Sequence, residues 1–168
     1  EEIVVPLFNF LSDKNRQNFR TGLDSIQGIA YIKEDGEIHV PTQFPMVEHL
    51  DDVPFVNYNL FNLEDYFKTH REPGLLTING MRGCPYRCTF CTYEEMRADK
   101  RLATADYLFR NLEYYYHNYG TRYFSFNDTN FLISKKRVSE LCEKIISSGL
   151  NKDIRIVCET KVETVKDE

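Results

Sequence analysis

The sequence predicts an α/β fold in which three strand–helix units build a parallel sheet, and three observations carry that prediction. Short apolar runs at Leu75–Asn79, Thr121–Asn127 and Ile154–Cys158 alternate with two longer segments of helical period. Each helical segment is bracketed by its own signals, Thr104 and Gly120 for one, Ser134 and Gly149 for the other. The resulting order of strand, loop, helix, strand, helix, strand is that of successive right-handed βαβ crossovers.

Along the chain, residues 1–27 mix a short apolar piece, Ile3–Leu11, with a polar stretch and give no clear assignment. From Gly28 the sequence GIAYIKEDGEIHV alternates and carries Asp35-Gly36 between two apolar runs. This predicts a β-hairpin closed by a tight primed turn, since Asp-Gly readily takes positive φ. A connector from Pro41 to Pro54 follows, whose prolines argue for extended chain. Leu75–Asn79 is the first strand of the second half. Thr104 caps a helix to about Tyr119 with Leu108, Leu112, Tyr115 and Tyr119 on one stripe, and Thr121–Asn127, with Tyr123, Phe124 and Phe126, is the next strand. Ser134 caps a second helix, whose apolar stripe is Val138, Leu141, Cys142, Ile145 and Ile146, and Ile154–Cys158 is the third strand. Val162–Glu168 reads as the beginning of another helix. Two parts result: 1–72, a hairpin and linker, and 73–168, the strand–helix units.

Composition narrows the function classes. The chain has 168 residues, 42% of them hydrophobic and 28% charged, as a globular domain with a real core requires. Its net charge is −5 with no basic run, which gives no support for a nucleic-acid surface. The run Tyr114-Tyr115-Tyr116-His117-Asn118-Tyr119 offers no stacking platform either, because helical spacing distributes its rings around the helix. No apolar stretch approaches the about 20 residues of a membrane span, and no signal-peptide pattern opens the chain. Both ends look cut, since residue 1 is Glu rather than Met, and the sequence reads as a segment of a larger protein. Five cysteines, clustered rather than spread as a disulfide framework, fit a reducing cytoplasm.

The cysteines carry the chemistry. Arg82-Gly83-Cys84-Pro85-Tyr86-Arg87-Cys88-Thr89-Phe90-Cys91 places three thiols within eight residues, spaced C-x3-C-x2-C, directly after the first strand. Four thiolates close the coordination of a four-iron cluster, whereas three leave one iron open to a small molecule. Three sulfurs converging on one cube need a tight loop. Gly83 allows close backbone approach and Pro85 fixes a dihedral beside the first ligand. Zinc is the competing reading, with His70 or His117 as a fourth ligand, but zinc sites usually pair two such motifs and no second pair exists here. Cys142 and Cys158 read as small core residues.

This stretch resembles the cluster loop of the radical S-adenosylmethionine (radical SAM) enzymes. The resemblance covers about residues 28–165, is strongest over 82–91, and implies that the sheet is part of a radical SAM barrel. It implies a 4Fe-4S cluster on Cys84, Cys88 and Cys91 whose open iron is chelated by S-adenosylmethionine. An electron from an external flavodoxin- or ferredoxin-like donor then cleaves the sulfonium to a 5′-deoxyadenosyl radical, which modifies a substrate the sequence does not name. Phe90 would lie near the adenine, or serve simply as a loop anchor.

The other candidate residues follow the other two strands, on the rim where such folds gather ligands. Asn127-Asp128-Thr129-Asn130-Phe131 stands where many relatives carry Gly-Gly-Glu to hold the substrate ammonium. It is similar instead to the "DDTF"-like sequences of the cobalamin-linked branch, though Asn, Asp and Thr also favour plain turns. Glu159 and Lys161 could meet the carboxylate or ribose of S-adenosylmethionine, or face solvent. Arg82 and Arg87 flank the cluster loop and could balance its negative charge, although exposed arginines need no such purpose. The segment Leu50-Asp51-Asp52-Val53-Pro54-Phe55, with Tyr58 and Phe61, looks like the linker joining a cobalamin-binding domain to a radical SAM barrel. The D-x-H-x-x-G signature of the cobalamin site is not in this chain, so cobalamin is implied only as a cofactor of the full-length protein. The implied activity is that of a cobalamin-dependent methyltransferase or related radical enzyme. The alternatives are a cobalamin-independent radical SAM enzyme of methylthiotransferase or maturase type, a non-catalytic iron–sulfur electron carrier with Cys142 or Cys158 as fourth ligand, and a zinc-stabilised binding module.

Overall fold

Three short runs rich in β-branched and aromatic residues become neighbouring strands: β3 (Leu75–Ile78), β6 (Tyr123–Phe126) and β7 (Arg155–Cys158). In the computed structural model, which describes residues 2–13, 22–69, 74–91 and 100–165, they form a parallel sheet of order β3-β6-β7. The register aligns Leu76, Phe124 and Ile156 in one row and Ile78, Phe126 and Cys158 in another. Leu76, Ile78, Phe124 and Phe126 are buried on that face. On the opposite face Thr77, Ser125 and Val157 form a row, with Val157 exposed. The chain divides into two packed units, 1–48 and 49–168, and the sheet belongs to the second.

The crossovers are helices α3 (Ala105–Tyr119) and α4 (Lys135–Ser148), which pack on each other. Their boundaries fall where the caps predicted. The Thr104 side chain accepts from the Tyr107 N–H and Ser134 from the Arg137 N–H, while Gly120 and Gly149 take left-handed conformations past the last turns. The stripe of α3 is close to the expected one: Leu108, Leu112 and Tyr115 are buried. That of α4 is rotated. Its buried residues are Arg137, Leu141 and Ile145, a strict i, i+4, i+8 line, while Cys142 and Ile146 are exposed. The cause is a buried ion pair that draws Arg137 inward, so the expectation of Cys142 as a core residue is corrected.

The connector after residue 48 is not free-standing. It makes a 3-10 turn at Leu50–Asp52, another at Tyr58–Leu60 and a short helix α2 (Leu63–Thr69). The tyrosines of α3 hold it: Tyr107 Oη donates to the Val53 carbonyl (2.9 Å), while Tyr115 and Tyr119 accept from the Val56 and Tyr58 N–H groups (3.0 Å each). Asp51 accepts from both the backbone and the hydroxyl of Thr104. This use of the tyrosine run is structural, in line with its sequence reading.

The first unit contains helix α1 (Val4–Ser12) and a hairpin of β1 (Tyr31–Ile32) and β2 (Ile38–His39), with Tyr31 stacked on His39 at 4.9 Å. The hairpin is where the sequence put it, but its turn is longer than a two-residue primed one. Lys33 and Glu37 pair across a three-residue loop, and Gly36 alone takes positive φ (86°). Asp35 instead turns its carboxylate onto the Glu37 N–H, which favours this wider form. At the other end of the chain, a 3-10 turn at Val162–Thr164 occupies the start of the predicted last helix, and residues 166–168 lie outside the described residues.

Candidate iron–sulfur and cofactor site

The cysteine loop is built as an excursion from the sheet with a closed base. After β3 the chain turns at Asn79-Gly80 and enters β4 (Met81–Arg82), which pairs antiparallel with β5 (Arg101–Leu102). The Ala103 N–H then donates to the Gly80 carbonyl (2.9 Å), so both limbs meet at one residue. The two-residue strands are too short to leave a periodic signal in the sequence, and this ribbon was not legible there. Within the loop Gly83 has φ 75°, a conformation costly for any residue with a Cβ, and the Cys91 N–H donates to the Cys88 carbonyl (3.0 Å), closing a turn between two of the thiols.

The donor set suits a cluster held by three thiolates. Cys84 and Cys88 are half-buried, Cys91 is exposed, and none is in a disulfide. Among the described residues no three His, Cys, Asp or Glu side chains already gather closely enough to hold a metal. Cys142 faces out from α4, and the Cys158 thiol is pushed up by burial, with the charge of Asp128 adding to the effect. His117 is exposed at the end of α3, and His70 lies outside the described residues.

Beside the loop, a cleft of about 270 Å³ opens on the rim at the carboxyl ends of the strands. Met81, Arg82 and Gly83 supply one wall, and Asn127, Asp128 and Glu159 face them from the other two strand ends. The structure thus brings three of the sequence-predicted residues, Asn127, Asp128 and Glu159, to one cleft. Asn127 and Glu159 are exposed and free to present their side chains, whereas Asp128 is buried. Its Oδ1 accepts from the Gly80 N–H (2.7 Å) and its Oδ2 from Arg137 Nη2 (3.0 Å).

Lys161 is not in that wall. Its ammonium lies 4.7 Å from the centroid of the Tyr86 ring, inside the cysteine loop, and pairs with Glu163 at 3.2 Å. The Glu163 hydrogen bond holds the lysine in its charged form, and the nearby Cys88 contributes in the same direction. Phe90 stands apart, 88% exposed on the outside of the loop.

Three further residues tie the rim together: Thr129 and Asn130 belong to the segment after β6 that the sequence singled out, whereas Arg137 was not among its candidates. Thr129 Oγ1 donates to the Gly83 carbonyl (3.4 Å). Asn130 is buried and its Oδ1 accepts from Thr160 Oγ1 (2.6 Å) and from the Lys161 N–H (3.2 Å), which joins the loops after β6 and β7. Arg137 is the third. Its signal was available as a lone arginine four residues before Leu141, in line with the buried side of α4.

A family model described as the radical SAM superfamily matches residues 78–168. An uncharacterized methyltransferase of Pyrococcus horikoshii is 26% identical over 147 residues, covering 86% of this chain and 31% of its own length. An anaerobic magnesium-protoporphyrin IX monomethyl ester cyclase of Cereibacter sphaeroides is 25% identical, over 99% of this chain and 26% of that protein. The chain therefore spans less than a third of these relatives. The apo structure of OxsB, a cobalamin-dependent S-adenosylmethionine radical enzyme, superposes with a TM-score of 0.74 at 20% identity, covering 99% of this chain and 22% of that one. That likeness establishes a shared fold: the three-stranded sheet with its two crossovers is part of a barrel.

Proposed function

The chain belongs to the radical SAM superfamily, and from that premise we propose that it carries the cluster and cofactor end of an enzyme that cleaves S-adenosylmethionine reductively. One observation carries the reading: three free thiols on a single loop, closed at its base, beside a cleft walled by the two neighbouring strand ends. Cys84, Cys88 and Cys91 would hold the 4Fe-4S cluster. Held there, the cluster would supply the one electron that splits S-adenosylmethionine into methionine and a 5′-deoxyadenosyl radical.

The chain's own groups bind and shield. Exposed Asn127 and Glu159 offer a hydrogen-bonding amide and an acceptor carboxylate for the ammonium or ribose of S-adenosylmethionine, while Asp128 acts from the wall of the same cleft. Lys161, already charged and lying over Tyr86, offers a cation to a carboxylate. Phe90 would lie near the adenine, which would cover a large apolar ring now exposed to water.

In the full-length protein we place these residues in a cobalamin-dependent methyltransferase or related radical enzyme, with residues 1–72 as hairpin and linker after a cobalamin-binding domain and 73–168 as the front of the barrel. A flavodoxin- or ferredoxin-like donor supplies the electron, and the reducing cytoplasm is the setting. The methyltransferase relative and the cobalamin dependence of OxsB support this placement, and the cyclase relative supports the wider class. The test is anaerobic reconstitution of the full-length protein, reduction with S-adenosylmethionine present, and chromatography of the products. Release of 5′-deoxyadenosine is expected, and its absence from a cluster-loaded, reduced sample would sink the reading. Label transferred from the S-methyl group to a substrate, with cobalamin bound, separates methyl transfer from the cobalamin-independent alternatives.

A further inference from the structure

We propose that Arg137 is the positioning residue of this site: together with Asp128 it fixes the turn that launches the cysteine loop against the loop after β6, and so sets the cleft that receives S-adenosylmethionine. This rests on the functional reading above and assigns the task of holding the site's geometry to a helix residue outside the cleft.

Gly80 is the node. Its N–H donates to Asp128 Oδ1 (2.7 Å), and its carbonyl accepts from both Arg137 Nη1 (2.8 Å) and the Ala103 N–H (2.9 Å). The outgoing limb of the cysteine loop begins at the next residue, and the returning limb ends at Ala103. Both limbs are therefore registered on a peptide group that Arg137 and Asp128 hold from below. The other terminal nitrogen, Nη2, donates to Asp128 Oδ2 and to the Phe131 carbonyl, 3.0 Å each, and so ties in the loop after β6 at both of its ends. The guanidinium lies over the Phe131 ring at 5.3 Å, and that ring stacks on Phe126 of β6 at 4.5 Å. The pair is sealed from water, with side-chain exposures of 6% and 0%.

Geometry singles out arginine for this task. One rigid planar fork reaches three acceptors on two loops, which the point charge of a lysine cannot do. Space is equally restricted. A Cβ on Gly80 would stand 2.7 Å from Leu108 Cδ2 and 3.2 Å from Asp128 Oδ2, so a side chain there would have to displace the buried Leu108 and crowd the clamp. With both oxygens of Asp128 engaged, its role is exerted through Gly80 and Arg137, and direct ligand contact falls to Asn127 and Glu159.

The experiment compares wild-type full-length protein with Arg137→Lys and Asp128→Asn. Amide hydrogen exchange is read on the apo protein, and the spectral response of the reduced cluster is titrated with S-adenosylmethionine. In Arg137→Lys the Gly80 and Ala103 amides should exchange about tenfold faster, the size of one lost hydrogen bond, while the Phe124 and Leu141 amides stay protected. Iron uptake should persist, and the S-adenosylmethionine concentration at half response should rise about tenfold. Asp128→Asn, which keeps an acceptor for Gly80 but weakens the pair, should fall between wild type and Arg137→Lys. Unchanged Gly80 exchange and titration in both variants would overturn the proposal. So would an equal rise at Phe124 and Gly80, which marks a merely structural role. Should Arg137→Lys fail to fold, Asp128→Asn decides by the same local-against-global contrast. A wild type that takes up no cluster would defeat the functional reading, and the exchange data would still decide the clamp.

Discussion

The loop after β6 and the cysteine loop sit on the same rim and are built in opposite ways. In the first, Asp128 and Asn130 are buried and hydrogen-bonded to the neighbouring strand ends. In the second, two thiols are half-buried, Cys91 and Phe90 are exposed, and a backbone turn ties Cys91 to Cys88. The difference separates two ways of reaching one geometry. The first loop is preorganised by the chain's own polar groups, at the cost of making them unavailable to a ligand. The second leaves Cys91 at the surface and Cys84 and Cys88 only half-buried, so its thiols stay open to a ligand.

The largest effects that would break this contrast lie in the cysteine loop. Cys84→Ala, Cys88→Ala and Cys91→Ala should each reduce iron from about four per chain to near zero, because two thiolates cannot hold the cube. Cys142→Ala and Cys158→Ala should leave iron content unchanged. Iron analysis after anaerobic reconstitution checks all five, and loss in either of the last two would mean the ligand set is wrong.

Next in size is the clamped side. Asp128→Ala leaves the Arg137 charge buried without its partner and should destabilise the fold by about 3–5 kcal/mol. Denaturant midpoints measure this, and a change under about 1 kcal/mol would show that the pair is not the clamp of the rim. Asn130→Ala removes the acceptor shared by Thr160 and the Lys161 N–H and should cost about 1–3 kcal/mol, with the loss of protection centred on the loop after β7.

How far the sequence carried the reading is clear from particular residues. Thr104, Ser134, Gly120 and Gly149 act locally, within a few residues of their own backbone, so the ends of α3 and α4 were legible. The cysteine motif stood out for a similar reason, since its spacing is a local signal, while the β4–β5 ribbon at its base left none. Asp128 could be singled out as a candidate, but its burial in an ion pair could not be read, because it depends on an arginine nine residues later that reaches it only once α4 has packed on the sheet. The same contact rotated the α4 stripe and sent Cys142 and Ile146 to the surface. The tyrosines of α3 could be recognised as packing residues, while their grip on the connector, 54 to 61 residues away, could not.

That grip gives the smallest prediction, away from the rim. Burial raises the Tyr115 phenol well above its ordinary value, with the hydrogen bond from the Val56 N–H working against it. A phenol whose folded pKa is raised contributes stability that is complete below the unfolded value near 10 and lost as pH climbs beyond it. Stability should therefore fall above about pH 10. Tyr115→Phe should cost about 1 kcal/mol at neutral pH and flatten that alkaline loss, measured by thermal unfolding from pH 8 to 11. An unchanged alkaline slope would remove Tyr115 from the account.

The most direct measurement is electron paramagnetic resonance of the reduced, reconstituted protein with and without S-adenosylmethionine. A cluster held by Cys84, Cys88 and Cys91, as proposed, would leave one iron open, so the cofactor should bind iron directly and change the g-values and line shape of the signal. The same change should be absent when a closed, four-thiolate cluster is present. A spectrum indifferent to S-adenosylmethionine, in a sample holding about four irons per chain, would contradict the open-iron site and leave an electron carrier in its place.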